Sequence, residues 1–386
     1  MWKPKLEKLA QGHLLRELSV VDSPCGPTIS WNGQNTLLFA SNDYLGLANH
    51  PNLKQAACKA IEQFGVGAGA SRLISGTLPP HQDLEQNLAH FFRTEASLIM
   101  SSGYATNSGV IPSLIAHDGL ILADRLCHAS LIDGCRLSRA TLRIFRHNDS
   151  EHLRSLLLKH ARARHTLIVT EGVFSMDGDL SPLPHFVRLA EEFEALLLID
   201  DAHGTGVMGS TGGGTIEHWG VNSANILHMG TLSKALGANG GFITGTKDFI
   251  AYLINTSRSF MYSTAPPPAM AAAARAALHL IQQEPERRAR LWQNRERMYQ
   301  GLTTMGCQLT PTKSPILPIL VKDPGVALEM SKQLRANGIF IPAIRPPTVP
   351  HGTSRLRITL TAEHSAEHIN TALETIQQVG QSLKIF

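Results

Sequence analysis

No five basic residues stand in a row anywhere in this 386-residue chain, and 35 Lys and Arg against 31 Asp and Glu leave a formal charge of only +4. So small and dispersed a surplus argues against a nucleic-acid partner and favours, at most, small anions. Cysteine is scarce too. Cys25, Cys58, Cys127, Cys135 and Cys307 are odd in number and form no C-x-x-C pair, which supports neither a disulfide framework nor a zinc knuckle. The opening run Met1-Trp2-Lys3-Pro4-Lys5-Leu6-Glu7 lacks the apolar core of a signal peptide, and apolar stretches such as Ala195 to Ile199 are far short of a membrane span. No G-x-S-x-G elbow exists, so a serine hydrolase is unsupported. The expectation is a cytoplasmic protein with no membrane, nucleic acid or metal to bind.

What is present is a globular composition, 43% hydrophobic and 17% charged. Residues 1–45 read as an N-terminal arm with one strand near Thr36 to Ala40. From 46 to 275, short apolar segments alternate with helical patterns: Ser97 to Met100, Gly119 to Ala123, Thr166 to Thr170, Ala195 to Ile199, Ile226 to Met229 and Gly241 to Thr244. That alternation predicts an α/β fold, a mostly parallel sheet covered by helices. After Pro266-Pro267-Pro268 comes one long helical pattern to about residue 304. Strands at Ile316 to Val321, Ile339 to Ile341 and Leu356 to Leu360 and a last helix then mark 276–386 as a smaller α+β domain.

Ligands of open α/β sheets sit beyond the carboxyl ends of the strands, and four of these ends carry chemistry. Ser101 to Asn107 is a glycine-containing turn opening a helix, able to hold a phosphate on free N–H groups; a plain strand-to-helix turn reads the same way. Asp200-Asp201-Ala202-His203 sets a carboxylate and an imidazole three positions apart, where an ordinary helix cap with a solvated His203 is the bland alternative. Lys234 lies in a run of small residues, Gly230 to Gly237, whose shielding lowers a lysine's pKa and favours Schiff-base chemistry. Glu171 to Asp179 offers Ser175 to the same crevice. A phosphate turn, an acid, a histidine and a shielded lysine together are what pyridoxal phosphate needs.

Four stretches, Ser41 to Leu47, Gly69 to Gly76, Asp200 to Gly206 and Gly230 to Gly237, resemble the α-oxoamine synthases, fold type I pyridoxal phosphate enzymes. The resemblance implies a fold type I transferase with Lys234 carrying the cofactor, Asp200 on its ring nitrogen, His203 on its ring oxygen and His128 stacked on the ring. It assigns the phosphate to Gly103, Tyr104 and Thr231, and Ser175 to the ring's polar edge. Arg16, Asn42, Arg345 and Thr348 would contact substrate. A homodimer would share the site, with Thr264 lending a hydroxyl to the other copy's phosphate. Within the family, Ile344 to Pro350, followed by Gly352-Thr353 and Arg355 to Arg357, is most like the member that condenses L-alanine with a pimeloyl thioester of coenzyme A or acyl carrier protein. Relatives that use glycine with acetyl or succinyl thioesters are the nearest alternative, and a catalytically silent binding protein a more distant one.

Several patterns read as decoys. Gly65 to Ala70 fits a dinucleotide-binding spacing but follows a helical stretch instead of a strand. His364-Ser365-Ala366-Glu367-His368 has a zinc spacing with no further ligand nearby, and reads as a solvated helix face. Of the 18 histidines, only His128 and His203 stand in informative contexts; others, such as His13, His81 and His218, read as surface groups.

Overall fold

The computed structural model describes residues 1–12, 14–16 and 18–386. Its strands, in chain order, are β1 (Thr28–Trp31), β2 (Gln34–Leu38), β3 (Ala96–Met100), β4 (Leu120–Asp124), β5 (Thr141–Phe145), β6 (Thr166–Glu171), β7 (Leu196–Asp200), β8 (Ile226–Thr231), β9 (Gly241–Gly245), β10 (Ile316–Lys322), β11 (Ile339–Phe340), β12 (Ala343–Ile344) and β13 (Ser354–Thr359). By internal contacts the chain divides into two units. One holds Met1–Gly46, Met176–Asp179 and Ala289–Phe386; the other holds Leu47–Ser175 and Leu180–Arg288.

The larger unit is built on a seven-stranded sheet in the order β3-β9-β8-β7-β6-β4-β5. Strands β5, β4, β6, β7 and β8 run parallel, while β9 is antiparallel to both β8 and β3. Both faces are covered, which is why the central strands read as unbroken apolar runs. Side chains alternate between two cores. Ile121, Ala123, Leu167, Val169 and Leu198 face one, with Val110 and Ile111 of helix Gly103–Leu114 and Leu131 and Cys135 of helix Ala129–Leu137. Leu120, Leu122, Ile168, Leu197 and Ile199 face the other, with Leu153, Leu157 and Phe186. Each such fully buried aliphatic side chain contributes roughly 1.5–3 kcal/mol, so the strands have almost no freedom to slip. Their carboxyl ends are thereby fixed, and so are the polar residues that follow.

The smaller unit has two three-stranded sheets, β1-β2-β11 and β10-β13-β12, the latter antiparallel. It matches the mixed α+β character expected of the C-terminal residues. Among the described residues no helix is long and apolar enough to cross a membrane.

Four readings need correction. The helical pattern to residue 304 is two helices, Pro268–Gln283 and Pro285–Thr304, because Pro285 lacks the N–H that would carry the first helix on through Glu284. Strand β5 escaped the pattern because it is the sheet's edge, where Thr141, Arg143 and Ile144 are exposed and no apolar run forms. His81 is not a surface group. It is wholly buried, its Nδ1 accepts the Leu78 N–H at 3.0 Å, and its Nε2 lies 2.8 Å from the Pro266 carbonyl.

His364 is likewise buried instead of solvated, stacked on Phe39 with ring centroids 4.4 Å apart. Burial pushes its pKa down to about 4. No group of three metal-ligating side chains forms among the described residues. Gly65 caps the end of helix Pro51–Phe64, so the nucleotide spacing does follow a helix. His218 is exposed, and His13 lies outside the described residues.

Candidate active site

Strand β7 ends on Asp200, and the next residue turns away from it. Asp201 accepts the Thr215 N–H at 2.6 Å and the Thr215 hydroxyl at 2.8 Å, so it anchors the start of helix Thr215–Trp219. Asp201 is thus spent on structure, and Asp200 is the carboxylate left at the strand mouth. One Asp200 oxygen accepts the Ala202 N–H at 3.1 Å and the other the Asn107 amide at 2.7 Å. The turn closes through Gly204 N–H and Thr205 N–H, both donating to the Asp201 carbonyl, and brings His203 back beside the mouth at 5% exposure.

Strand β8, next to β7, ends on Thr231 and leads into Lys234. The loop after it is pinned by the Leu232 N–H to Gly240 and the Ala238 N–H to Leu232. Thr231 donates its hydroxyl to the Gly240 carbonyl at 2.9 Å. At Gly237 φ is +62°, and a Cβ there would lie 2.4 Å from the Ala48 nitrogen, so only glycine lets the loop turn this tightly. Lys234 Nζ consequently sits 2.8 Å from His203 Nε2. A half-buried amine beside an imidazole, one strand from a buried carboxylate, is an arrangement suited to covalent and proton-transfer chemistry.

Strand β3 runs into helix Gly103–Leu114, whose N-cap Ser102 accepts the Ala105 N–H at 3.0 Å. Helix geometry leaves the N–H groups of Gly103 and Tyr104 without an intrahelical acceptor, and the helix dipole favours an anion there. A Cβ on Gly103 would press on Met229 Cε at 3.3 Å, with Thr231 Oγ1 at 3.7 Å, so the turn lies directly against the end of β8. The Tyr104 side chain is not part of this cradle: its hydroxyl bonds Asp133.

His128 caps helix Ala129–Leu137, with its Nδ1 2.8 Å from Ser130 Oγ. Its N–H donates to Glu171 Oε1 at 2.6 Å. His128 is exposed, yet the protein packed around it lowers its pKa, and Lys234 adds to this while Asp200 and Asp133 oppose it. Glu171, the last residue of β6, is paired in register with Asp200. Burial, and then the charge of Asp200, push its carboxyl well above the usual range. Ser175 is half-buried past the end of β6, and Thr264 is exposed, bridged to Ser71. The larger unit therefore brings together Lys234, His203, Asp200, Thr231, Gly103 and His128. Asn107, Ser130 and Glu171 join them, and residue type and spacing assign Asn107 and Ser130 no role.

The remaining predicted residues lie in the smaller unit. Arg16 donates to Thr348 Oγ1 at 3.3 Å, and Arg345 donates to the Leu15 carbonyl at 3.1 Å. Partial burial and the neighbouring Arg16 charge lower the Arg345 pKa. Two guanidinium groups this close repel unless an anion is shared between them. Asn42 instead accepts from Arg357 at 3.3 Å.

These groups fit pyridoxal phosphate. The crowded glycine cradle and Thr231 suit its phosphate, Asp200 its ring nitrogen, and Lys234 its aldehyde carbon. The pattern of the aminotransferase class I and II family matches residues 34–376. The 8-amino-7-oxononanoate synthase 1 of Bacillus subtilis is 41% identical over 99% of this chain and 98% of its own length, and the 8-amino-7-oxononanoate synthase of Geobacter sulfurreducens is 45% identical over the same shares. Among solved structures, a serine palmitoyltransferase from S. paucimobilis with bound PLP superposes with a TM-score of 0.95 at 31% identity, covering 100% of this chain and 98% of that one. The 8-amino-7-oxononanoate synthase of Francisella tularensis gives 0.77 at 29% identity over 90% and 98%. The chain belongs to the aminotransferase class I and II family and, within it, to the α-oxoamine synthases that include the 8-amino-7-oxononanoate synthases, pyridoxal phosphate enzymes that transfer an acyl group.

Proposed function

We propose that this enzyme condenses L-alanine with a pimeloyl thioester, of coenzyme A or acyl carrier protein, releasing carbon dioxide, the free carrier and 8-amino-7-oxononanoate for biotin synthesis. The full-length identity of 41–45% to synthases of that name supports the substrates. The observation that carries the chemistry is Lys234 Nζ at 2.8 Å from His203, one strand from Asp200.

Pyridoxal phosphate, when bound, supplies the electron sink on which both the deprotonation of alanine and the loss of carbon dioxide depend. Lys234 takes the α-proton of alanine onto Nζ as general base, a contribution of about 10²–10⁴-fold. Asp200 keeps a proton on the ring nitrogen through its negative charge. His203 donates to the ring oxygen, Ser175 lies at the ring's polar edge, and Gly103, Tyr104 and Thr231 hold the phosphate. His128 donates Nε2–H to the thioester oxygen as negative charge develops there. Arg345 and Arg16 take a substrate carboxylate, which relieves their mutual repulsion, and Asn42 and Thr348 complete the substrate contacts.

The working form is a cytoplasmic homodimer. Exposed Thr264, beside Tyr262 at 71% exposure, offers its hydroxyl to the phosphate held by the second copy. Five unpaired cysteines accord with a reducing compartment.

The test is turnover with pimeloyl coenzyme A and L-alanine, set against glycine and L-serine with acetyl, succinyl and palmitoyl thioesters. Alanine with the pimeloyl thioester should win by at least about tenfold in kcat/KM. Preference for glycine or serine would overturn the substrate assignment. Borohydride treatment followed by peptide mass spectrometry should find the cofactor on Lys234, and Lys234→Ala should lose both the adduct and turnover.

A further inference from the structure

Two side chains, Asn107 and Ser130, connect Asp200 to His128 within the larger unit. Asn107 Nδ2 lies 2.7 Å from Asp200 Oδ2 and 2.9 Å from Ser130 Oγ, and Ser130 Oγ lies 2.8 Å from His128 Nδ1. Asn107 and Ser130 are each 1% exposed, so water does not compete for the bonds that join Asp200, Asn107 and Ser130. The helices that carry them are pressed together at Gly134, where a Cβ would come within 2.7 Å of the Asn107 carbonyl oxygen.

The direction of every bond in this chain follows from its carboxylate end. An ionised Asp200 only accepts, so the atom of Asn107 facing it must be the NH2 group, whose second hydrogen serves Ser130 Oγ. Having accepted there, the Ser130 hydroxyl turns its own hydrogen toward His128 Nδ1. The Ser130 backbone N–H points at the same nitrogen from 3.2 Å. With two donors on Nδ1, the ring proton is left on Nε2. The other end of the Asn107 amide, Oδ1, is buried with no hydrogen-bond partner. An unsatisfied buried carbonyl costs about 1–3 kcal/mol, yet turning the amide over would set that oxygen against the Asp200 carboxylate. The orientation is dictated by Asp200.

We propose that Asn107 is a positioning residue: oriented by Asp200, it fixes the direction of the Ser130 bonds so that the neutral His128 ring keeps its proton on Nε2. The inference rests on the reading of His128 as a donor to the thioester oxygen, for which only the Nε2–H form has the hydrogen in place. The charged groups acting on the ring are Asp200, Lys234 and Asp133, with Glu171 bonded to the His128 N–H. Burial lowers the His128 pKa and so favours the neutral ring as well.

The test uses 15N-histidine-labelled full-length protein, cofactor-free and cofactor-loaded, with the His128 ring nitrogens read by NMR between pH 5.5 and 8. The native protein should show Nε2–H in excess by about tenfold or more, the worth of roughly one or two hydrogen bonds. In Ser130→Ala the excess should fall to within about threefold and the His128 pKa should rise, while cofactor affinity holds because the Asn107 bond to Asp200 survives. In Asn107→Ala the same change at His128 should come with weaker cofactor binding. Ser130→Thr, which keeps the hydroxyl, should restore the native ring signals. A His128 protonated on Nδ1 in the native protein, or one whose tautomer is unmoved by folded Ser130→Ala and Asn107→Ala variants, overturns the proposal. Thermal unfolding of each variant separates loss of fold from loss of polarity. Failure of the alanine and pimeloyl assay leaves the ring signals unaffected, so the two readings fail separately.

Discussion

Three adjacent strands of the larger unit, β4, β6 and β7, each end in a buried carboxylate, Asp124, Glu171 and Asp200, and their surroundings make of them three different groups. Asp124 is the most fully engaged: it accepts the Leu126 N–H at 2.8 Å, His147 Nδ1–H at 2.9 Å and the Asn148 N–H at 2.8 Å. Glu171 takes the His128 N–H and is driven toward its neutral form by burial and by Asp200. Asp200 receives one donor on each oxygen, which leaves lone pairs for a ligand. Position at a strand end therefore selects which residues can act. The donors already present decide which one does.

The largest consequence falls on Asp200. Asp200→Asn removes the carboxylate proposed to pair with the ring nitrogen, and also confronts Asn107 with a second amide. We expect kcat to fall by at least about a hundredfold, the scale of losing one preorganised electrostatic partner, with the fold intact. The check is α-proton exchange of L-alanine alongside far-ultraviolet circular dichroism. Exchange at the native rate would mean that Asp200 is no different from its neighbours.

Asp124→Asn should do the reverse. An amide can face only some of three donors correctly, so we expect a loss of about 1–3 kcal/mol in stability, measured by denaturant unfolding of the cofactor-free protein. Turnover of the protein that remains folded should stay within about threefold of native. A hundredfold loss of kcat in a stable Asp124→Asn enzyme would erase the distinction between these two carboxylates.

Much of this was readable before any coordinates. Six of the seven strands of the larger sheet announce themselves as apolar runs, and Asp200, His203, Thr231 and Lys234 stand out because polar residues close after such runs have little reason to be there unless used. Residue type alone does not separate Asp200 from Asp201; the family resemblance picks Asp200, and the physical reason, Thr215 holding Asp201, lies fourteen residues away. Asn107 and Ser130 carry no signal of their own. Small polar residues inside a helix pattern are common, and their importance lies in a contact between two helices that meet at Gly134. The four-residue gap from Gly103 to Asn107, one helical turn, could have hinted that the amide faces the same mouth as the phosphate turn. His81 and His364 were misjudged for a related reason: each satisfies itself against local backbone, and sequence does not distinguish a histidine so satisfied from one in water.

The smallest effect, and the sharpest, belongs to Glu171. Its proton is held more tightly in the folded chain than in the unfolded one, where the ordinary value is 4.5. The stability this contributes is fully present below that pH and is lost as the pH rises toward the folded value, because the unfolded carboxyl ionises freely while the folded one resists. Glu171→Gln is the neutral form made permanent, with an oxygen still able to accept the His128 N–H. Activity should therefore change by no more than about threefold. Denaturant midpoints of cofactor-free native and variant protein should converge near pH 5 and separate at pH 8 in favour of the variant. If the native protein is instead favoured at pH 8, Glu171 is ionised in the fold. The mouth would then hold two adjacent negative charges, and the contrast between Glu171 and Asp200 would dissolve.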